Sequence, residues 1–215
     1  MSIAKKPKAR ASTHSPVRRQ RRQPDEVRSS AIEAARKLLA TEGPTAITLK
    51  AVASELGMTH TNLIHHFGSA GDLQSALMKE MVRELTATIE AAIAESGAGA
   101  ANRRLFVDLV FDAFDKGGAG RLAAWIVMSG NARLLTPVGQ VVREYVSYVE
   151  HEMAKEGGDE KLHERVTSSL MLVTLAALGD SIIGDVLRKM VERDRDALRG
   201  VITDLLHVIH GDPEA

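Results

Sequence analysis

From Pro24 onward, apolar residues recur every three or four positions along almost the whole chain, and alternating runs of β-branched residues are rare. This spacing places the apolar side chains on one face of a helix, because an α-helix turns once in about 3.6 residues. The chain contains no cysteine, so neither a disulfide framework nor a cysteine-ligated metal centre can stabilise it. The sequence therefore predicts an all-α protein that is stabilised by helix packing.

Glycine, proline and charge-rich segments divide this pattern into about nine helices. The predicted helices span about 25–42, 49–56, 60–66, 71–95, 101–115, 120–133, 138–156, 160–190 and 193–210. Gly57 separates the second helix from the third by a tight turn, which is typical of a helix-turn-helix. We expect a tail over residues 1–23, a helix-turn-helix domain over residues 24–72, and a larger helical domain over residues 73–215.

The formal net charge of zero conceals two unlike parts. Residues 1–23 carry eight Lys and Arg and no acid, whereas residues 24–215 hold 20 bases against 28 acids. The tail has almost nothing to bury, so we expect it to be disordered on its own. It could be a solubilising arm, an arm attracted to phosphate groups, or an organelle transit peptide. The transit peptide is disfavoured because large apolar residues are nearly absent from the tail.

One segment has a spacing that is characteristic of a known family. It contains Gly43, Ala46, Thr48, Val52-Ala53, Gly57-Met58-Thr59, His66-Phe67 and Leu73. Over residues 28–73 the chain resembles the DNA-binding domain of the TetR family of transcriptional regulators. The resemblance implies a ligand-responsive repressor in the bacterial cytoplasm, which binds a palindromic double-stranded DNA operator as a homodimer. The sequence contains no nucleophile elbow, paired-carboxylate context or metal-ligand cluster, so we expect no enzymatic activity and no cofactor.

The resemblance and the helical pattern together nominate residues that contact DNA. In the tail we expect Arg18, Arg19, Arg21 and Arg22 to contribute, and in the domain Thr48, Lys50, Thr59, His60, Thr61, Asn62, His65 and His66. For the two threonines, capping of a helix is as good an explanation as contact with phosphate. The histidines do not predict a metal site, since adjacent His65 and His66 point to different sides of a helix.

Two departures from the family pattern bear on DNA binding. Ile64 stands where the family usually has tyrosine, and Gly68-Ser69-Ala70 replaces a segment that usually ends in a phosphate-binding lysine. Residues 24–70 contain four bases and five acids, so we expect the tail to supply most of the attraction to a polyanion. The alternative is a helical ligand-binding or structural protein whose degenerate helix-turn-helix no longer binds DNA specifically.

The larger domain has two further features. The helix near residues 166–178 is apolar on nearly all sides, and the apolar pattern continues into the last helix. We therefore expect a homodimer interface over about 160–210. The alternative is an ordinary core helix of a monomer. The longest uncharged stretch there, residues 166–179, is shorter than the roughly 20 residues of a membrane span, so we expect no membrane insertion. The resemblance implies a pocket for a small apolar or weakly polar effector in this domain, although such a cluster of large side chains is more often simply core. The candidate lining residues are Phe106, Phe114, Trp125, Met128, Asn131, Tyr145 and Met171.

Overall fold

A computed structural model of the chain describes residues 23–155, 157 and 160–211. Within these residues the chain forms α-helices joined by short turns, and no described residue lies in a β-strand. The helices are α1 (Pro24–Glu42), α2 (Leu49–Glu55), α3 (His60–Phe67), α4 (Ala70–Ser96), α5 (Arg103–Asp115), α6 (Ala119–Met128), α7 (Thr136–Lys155), α8 (Leu162–Met190) and α9 (Asp196–His210). The predicted all-α fold is confirmed for this part of the chain. The predicted tail, apart from Gln23, lies outside the described residues.

Two helices differ from their expected form for reasons that lie in the backbone. The apolar spacing predicts a helix over residues 120–133, whereas α6 ends at Met128. Gly130 has a φ of +73°, a left-handed conformation that interrupts the helix, and a 3₁₀ turn over Ala132–Leu135 follows. Helix α8 is continuous, but its residues Asp180–Gly184 form a π-helical turn, which the spacing of apolar residues does not reveal.

Two buried hydrophobic clusters organise the helices. The first cluster joins α1, α2 and α3 to the N-terminal half of α4 and to α6, and includes the fully buried Leu39, Leu63 and Leu122. The second cluster joins the C-terminal half of α4 to α5, α7, α8 and α9 around Phe111. Helices α4 and α6 therefore fix the helix-turn-helix to the rest of the protein. The predicted division between residues 72 and 73 falls within α4 and stays a prediction.

The π-helical turn of α8 packs closely on the first turn of α6. A Cβ added to Gly120 of α6 would lie 2.0 Å from Oγ of Ser181 in that turn, so only glycine allows this approach. Leu122 and Ile126, further along α6, are buried in the first cluster. Helix α8 thus contacts the same helix on which the N-terminal helices rest.

A buried arginine holds α9 against α5. Arg199 donates from Nη1 to Oδ1 of Asp108 at 2.9 Å and from Nη2 to Oδ1 of Asp112 at 2.7 Å. Its guanidinium carbon lies 5.3 Å from the centroid of the Phe111 ring. Partial burial acts to raise the pKa of both carboxyl groups, but hydrogen bonds from Arg199 and neighbouring cations outweigh it, so both pKa values lie below the usual aspartate value. We call this arrangement the Arg199 clamp.

Helix α8 is long and apolar enough, by length and composition alone, to span a membrane. The uncharged stretch 166–179 is only part of this helix. Its length alone therefore underestimates the length of the apolar helix. One side of α8 packs on α5, α6 and α7. The other side and α9 carry exposed large apolar residues, which we call the apolar face: Met171, Leu175, Ile182, Ile183, Val186, Leu187, Met190, Val191, Leu198, Val201, Leu205 and Val208.

Candidate nucleic-acid interface

Two threonine hydroxyls cap the helices of the helix-turn-helix. Oγ1 of Thr48 accepts a hydrogen bond from the N–H of Ala51 at the start of α2, at 3.1 Å. Oγ1 of Thr59 accepts from the N–H of Asn62 at the start of α3, at 3.3 Å. The predicted capping is therefore confirmed. Both threonines are also exposed, so capping leaves the two helix starts accessible to a phosphate group.

The turn between α2 and α3 orients the second of these helices. Gly57 has a φ of +61°, and the N–H of Met58 donates to the carbonyl of Ala53 at 2.8 Å. The turn directs Leu63 and Phe67 of α3 into the first cluster, where Leu63 is fully buried. The opposite side of α3 is consequently left facing solvent.

This outer side of α3 is polar. His66 is half-buried, and the exposed polar side chains of the helix are His60, Thr61, Asn62 and His65. The structure thus brings the residues predicted to read base edges onto one accessible helix. Lys50 is exposed in the first turn of the neighbouring α2. Contact of these residues with DNA stays a prediction.

Helix α3 is held from behind by contacts that the sequence alone does not indicate. Arg28 of α1 donates from Nη1 to the carbonyl of His66, and its guanidinium carbon lies 4.6 Å from the centroid of the Phe67 ring. Gln74 of α4 donates from Nε2 to the carbonyl of Ile47, at 3.1 Å, in the segment that precedes α2. Arg28 and Gln74 are separated in sequence from their partners by 27 residues or more, and no motif links them. They fix the C-terminal end of α3 and the approach to α2.

Most basic side chains of the helix-turn-helix domain form hydrogen bonds or ion pairs with other residues of the protein. Arg28 is engaged at the end of α3, Arg36 forms an ion pair with Glu84 at 2.7 Å, and Lys37 forms one with Glu55 at 2.9 Å. Among the described residues, Lys50 has no ion-pair or hydrogen-bond partner. The folded domain therefore offers little positive charge to a polyanion. The tail arginines that we expect to contact DNA, Arg18, Arg19, Arg21 and Arg22, lie outside the described residues.

The larger domain contains a mostly apolar, partly open cavity of about 70 Å³ between α4, α5, α7, α8 and α9. Phe106 and Tyr145, both expected to contact an effector, line it. Burial raises the pKa of Tyr145 well above its ordinary value, so its hydroxyl stays protonated. Ser169 and His210 also line the cavity, and Ser169 Oγ lies 3.0 Å from His210 Nε2. The sequence gives no signal for this polar pair, because its members are 41 residues apart.

The other residues expected to line this pocket lie elsewhere. Phe114 lines a separate groove between α1, α4, α5 and α6, and Asn131 lines an open depression beside the start of α4. Trp125 and Met128 are exposed because the opposite face of α6 fills the first cluster, and Met171 belongs to the apolar face. The structure therefore brings together two of the seven residues in one cavity.

Comparison with known families agrees with this geometry. Residues 31–77 match the family described as bacterial regulatory proteins, tetR family. The matched segment contains α2, α3, most of α1 and the N-terminal part of α4. The resemblance that the sequence spacing indicates is thereby confirmed for this domain. No curated protein matches the sequence.

Solved structures share the fold over nearly the whole chain. The fatty acid degradation regulator FadR from Bacillus halodurans has a TM-score of 0.62 and 15% identity, covering 91% of this chain and 100% of that one. A TetR-family transcriptional regulator from Streptomyces coelicolor has a TM-score of 0.62 and 18% identity, covering 87% and 80%. A protein from Saccharomonospora viridis in complex with choline has a TM-score of 0.58 and 16% identity, covering 87% and 97%. At such identities the likeness establishes the fold alone.

Proposed function

Since residues 31–77 match the family of bacterial regulatory proteins described as tetR, we propose that this protein is a transcriptional regulator that binds double-stranded DNA. The observation that carries the proposal is the capped pair α2 and α3, which presents a polar, accessible side of α3. A helix exposed in this way fits the major groove of B-DNA, where base edges are read. The regulator acts in the bacterial cytoplasm, most simply as a repressor.

Each side chain of the interface has a distinct task. Thr48 and Thr59 stand at helix starts, where hydroxyl and N–H groups bind phosphate, and Lys50 adds a positive charge. Asn62 can donate to and accept from adenine, while Thr61 and the neighbouring His60, His65 and His66 supply further hydrogen bonds to bases or backbone. These contacts position α3 and read the operator.

The basic tail supplies the long-range attraction that the folded domain lacks. Its eight bases precede α1 in the sequence, and we expect a segment of this length to be able to reach an adjacent groove. Each phosphate that a cation neutralises contributes a slope of about −0.9 to the logarithmic dependence of affinity on salt. Deletion of residues 1–22 should therefore weaken binding and reduce this slope by several such increments, whereas Lys50→Ala should reduce it by about one. An unchanged slope after deletion would refute the role of the tail.

The apolar face pairs two copies of the chain. Twelve exposed large apolar residues on α8, α9 and the residue after α8 form a surface that a soluble monomer seldom carries. A homodimer would cover it and hold two α3 helices at a fixed spacing, as a palindromic operator requires. Sedimentation velocity should show a dimer that Leu175→Glu and Val201→Glu convert to monomer. Met128→Glu, on an exposed apolar residue outside this face, is the matched control and should leave the dimer intact.

A small apolar or weakly polar effector is proposed for the cavity lined by Phe106 and Tyr145. The protein from Saccharomonospora viridis that shares the fold is in complex with choline, which supports a small-molecule site in this fold. Helix α4 extends from this cavity to the first cluster, so an effector that displaces α4 would also displace the helix-turn-helix. Ala92→Phe, which fills the cavity, should abolish both thermal stabilisation by an effector and its effect on DNA binding. Ala91→Phe, on the exposed side of the same helix, should preserve both.

The competing function is a helical ligand-binding protein without specific DNA binding. The ion-paired bases of the domain, together with Ile64 and Ala70, favour this alternative. Electrophoretic mobility shift of genomic fragments, with the full chain and with residues 1–22 deleted, separates the two functions. Sequence-dependent shifts with the full chain support the regulator. The absence of any sequence-dependent shift at low salt would overturn it in favour of the ligand-binding protein.

A further inference from the structure

One apolar side chain interrupts the polar surface of α3. Ile64 is 39% exposed. Among residues 23–96, it is the only large hydrophobic residue whose side chain is exposed; the next along the chain is Leu105. Ile64 is more exposed than Leu56 and Met58, which precede α3 and are half-buried against the first hydrophobic cluster. Part of the isoleucine side chain is therefore accessible to a binding partner.

The neighbours of Ile64 place it beside the residues that face the operator. One turn before it on α3 lie His60 and Thr61, at the i−4 and i−3 positions that share a helix face with residue i. His65, the next residue, is exposed as well. When α3 enters the major groove, Ile64 enters beside these polar side chains and is desolvated with them.

The major groove offers few groups on which an apolar side chain can pack favourably. Each base pair presents hydrogen-bond donors and acceptors there, and the C5-methyl group of thymine is the apolar group on this surface. We propose, on the basis of the DNA-binding function, that Ile64 determines specificity by packing on a thymine methyl group in each half-site. An aliphatic side chain cannot donate to a phosphate as tyrosine can, so Ile64 contributes to sequence preference instead of to backbone affinity.

Replacement of thymine by deoxyuridine tests this contact, because it removes the methyl group and leaves every hydrogen-bonding group in place. The full-length protein first selects binding sites from a random library of double-stranded DNA. Each thymine of the selected half-site is then replaced in turn, and the dissociation constants of wild type, Ile64→Val and Ile64→Ala are measured at one salt concentration. Circular dichroism confirms that each variant is folded.

At one thymine of each half-site, loss of the methyl group should weaken wild-type binding about fourfold, the effect of one buried methyl group. Ile64→Val should keep most of this dependence, and Ile64→Ala should lose it at that thymine alone. Equal responses of wild type and Ile64→Ala at every thymine would overturn the proposal while leaving the regulator intact. Failure to enrich any sequence would overturn both, so the two failures are distinguishable.

Discussion

Replacement of Arg199 by alanine should destabilise the protein through loss of the Arg199 clamp. The two carboxylates that Arg199 binds keep about a third of their surface exposed, at 34% for Asp108 and 40% for Asp112. Solvent screening therefore limits each ion pair to about 1 kcal/mol. Contact of the guanidinium and its stem with Phe111 adds about 1 kcal/mol. The free energy of unfolding should fall by about 3 kcal/mol, which raises the unfolded fraction roughly a hundredfold.

Urea denaturation followed by circular dichroism measures this loss, at one protein concentration because the proposed dimer would make stability depend on concentration. Arg199→Met should cost less than Arg199→Ala, since methionine keeps apolar packing and removes a buried Nε that has no hydrogen-bond partner among the described residues. Lys116→Ala is the control, because Lys116 is 65% exposed and forms an ion pair with Asp112 alone. It should change stability by less than about 1 kcal/mol.

The same clamp predicts a pH dependence with a definite sign. The pKa values of Asp108 and Asp112 are lower in the folded protein than their ordinary value, so the carboxylates stabilise the fold above the ordinary aspartate pKa. This contribution is lost as the pH falls through the lower, folded values. The difference in stability between wild type and Arg199→Ala should therefore be largest near pH 7 and shrink below roughly pH 5. A difference that stays constant from pH 7 to pH 3, or no difference at pH 7, would refute the reasoning.

Three further substitutions examine the contacts that position the interface. Arg28→Met should weaken DNA binding about tenfold without unfolding the protein, because α3 loses the hydrogen bond and the ring contact that hold its end; a mobility-shift titration measures this. Gly120→Ala should lower the free energy of unfolding by roughly 1–3 kcal/mol, since its Cβ would overlap Ser181, and Ser181→Gly should restore part of the loss. Thr59→Ala should cost about 1 kcal/mol through loss of the α3 cap, as urea denaturation would show.

Each of these substitutions has a control. Arg36→Met removes an ion pair to α4 but no contact to α3, so it should leave DNA affinity nearly unchanged; an equal loss in both variants would contradict the role given to Arg28. If Ser181→Gly fails to relieve Gly120→Ala, the close approach of α6 and α8 is not the cause of the destabilisation. Thr59→Ser retains a capping hydroxyl and should preserve stability, and a loss as large as that of Thr59→Ala would argue against the cap.

The helices and the helix-turn-helix can be predicted from the sequence because the interactions that form them are local. Gly57 ends one helix, while Thr48 and Thr59 begin the two helices of the motif, and these signals act within a few residues. The spacing of Leu63 and Phe67 likewise decides which side of α3 is buried. The exposed polar residues of α3 were therefore predictable once the buried side was known.

The effector pocket was less predictable, because helical spacing gives the buried side of a helix but not the partner that covers it. Trp125 and Met128 are large and apolar, as pocket residues often are, yet α6 uses its other side to pack in the first cluster. Phe106 and Tyr145 reach one cavity only because α5 packs on α8 and α9 while α7 packs on α4 and α8. Such placement depends on residues distant in the chain.

The sequence by itself determined the helical class, the position of the DNA-binding motif and the separation of a basic tail from an acidic remainder. Each follows from local periodicity, local capping or simple charge. Only the tertiary structure decided that Arg28 contacts the C-terminal end of α3 and that Arg199 joins α9 to α5. It also decided that α6 contacts the π-helical turn of α8 and that Ile64 stays exposed. The physical reason is that these contacts join residues far apart in the chain, and no short-range pattern encodes which distant surfaces will meet.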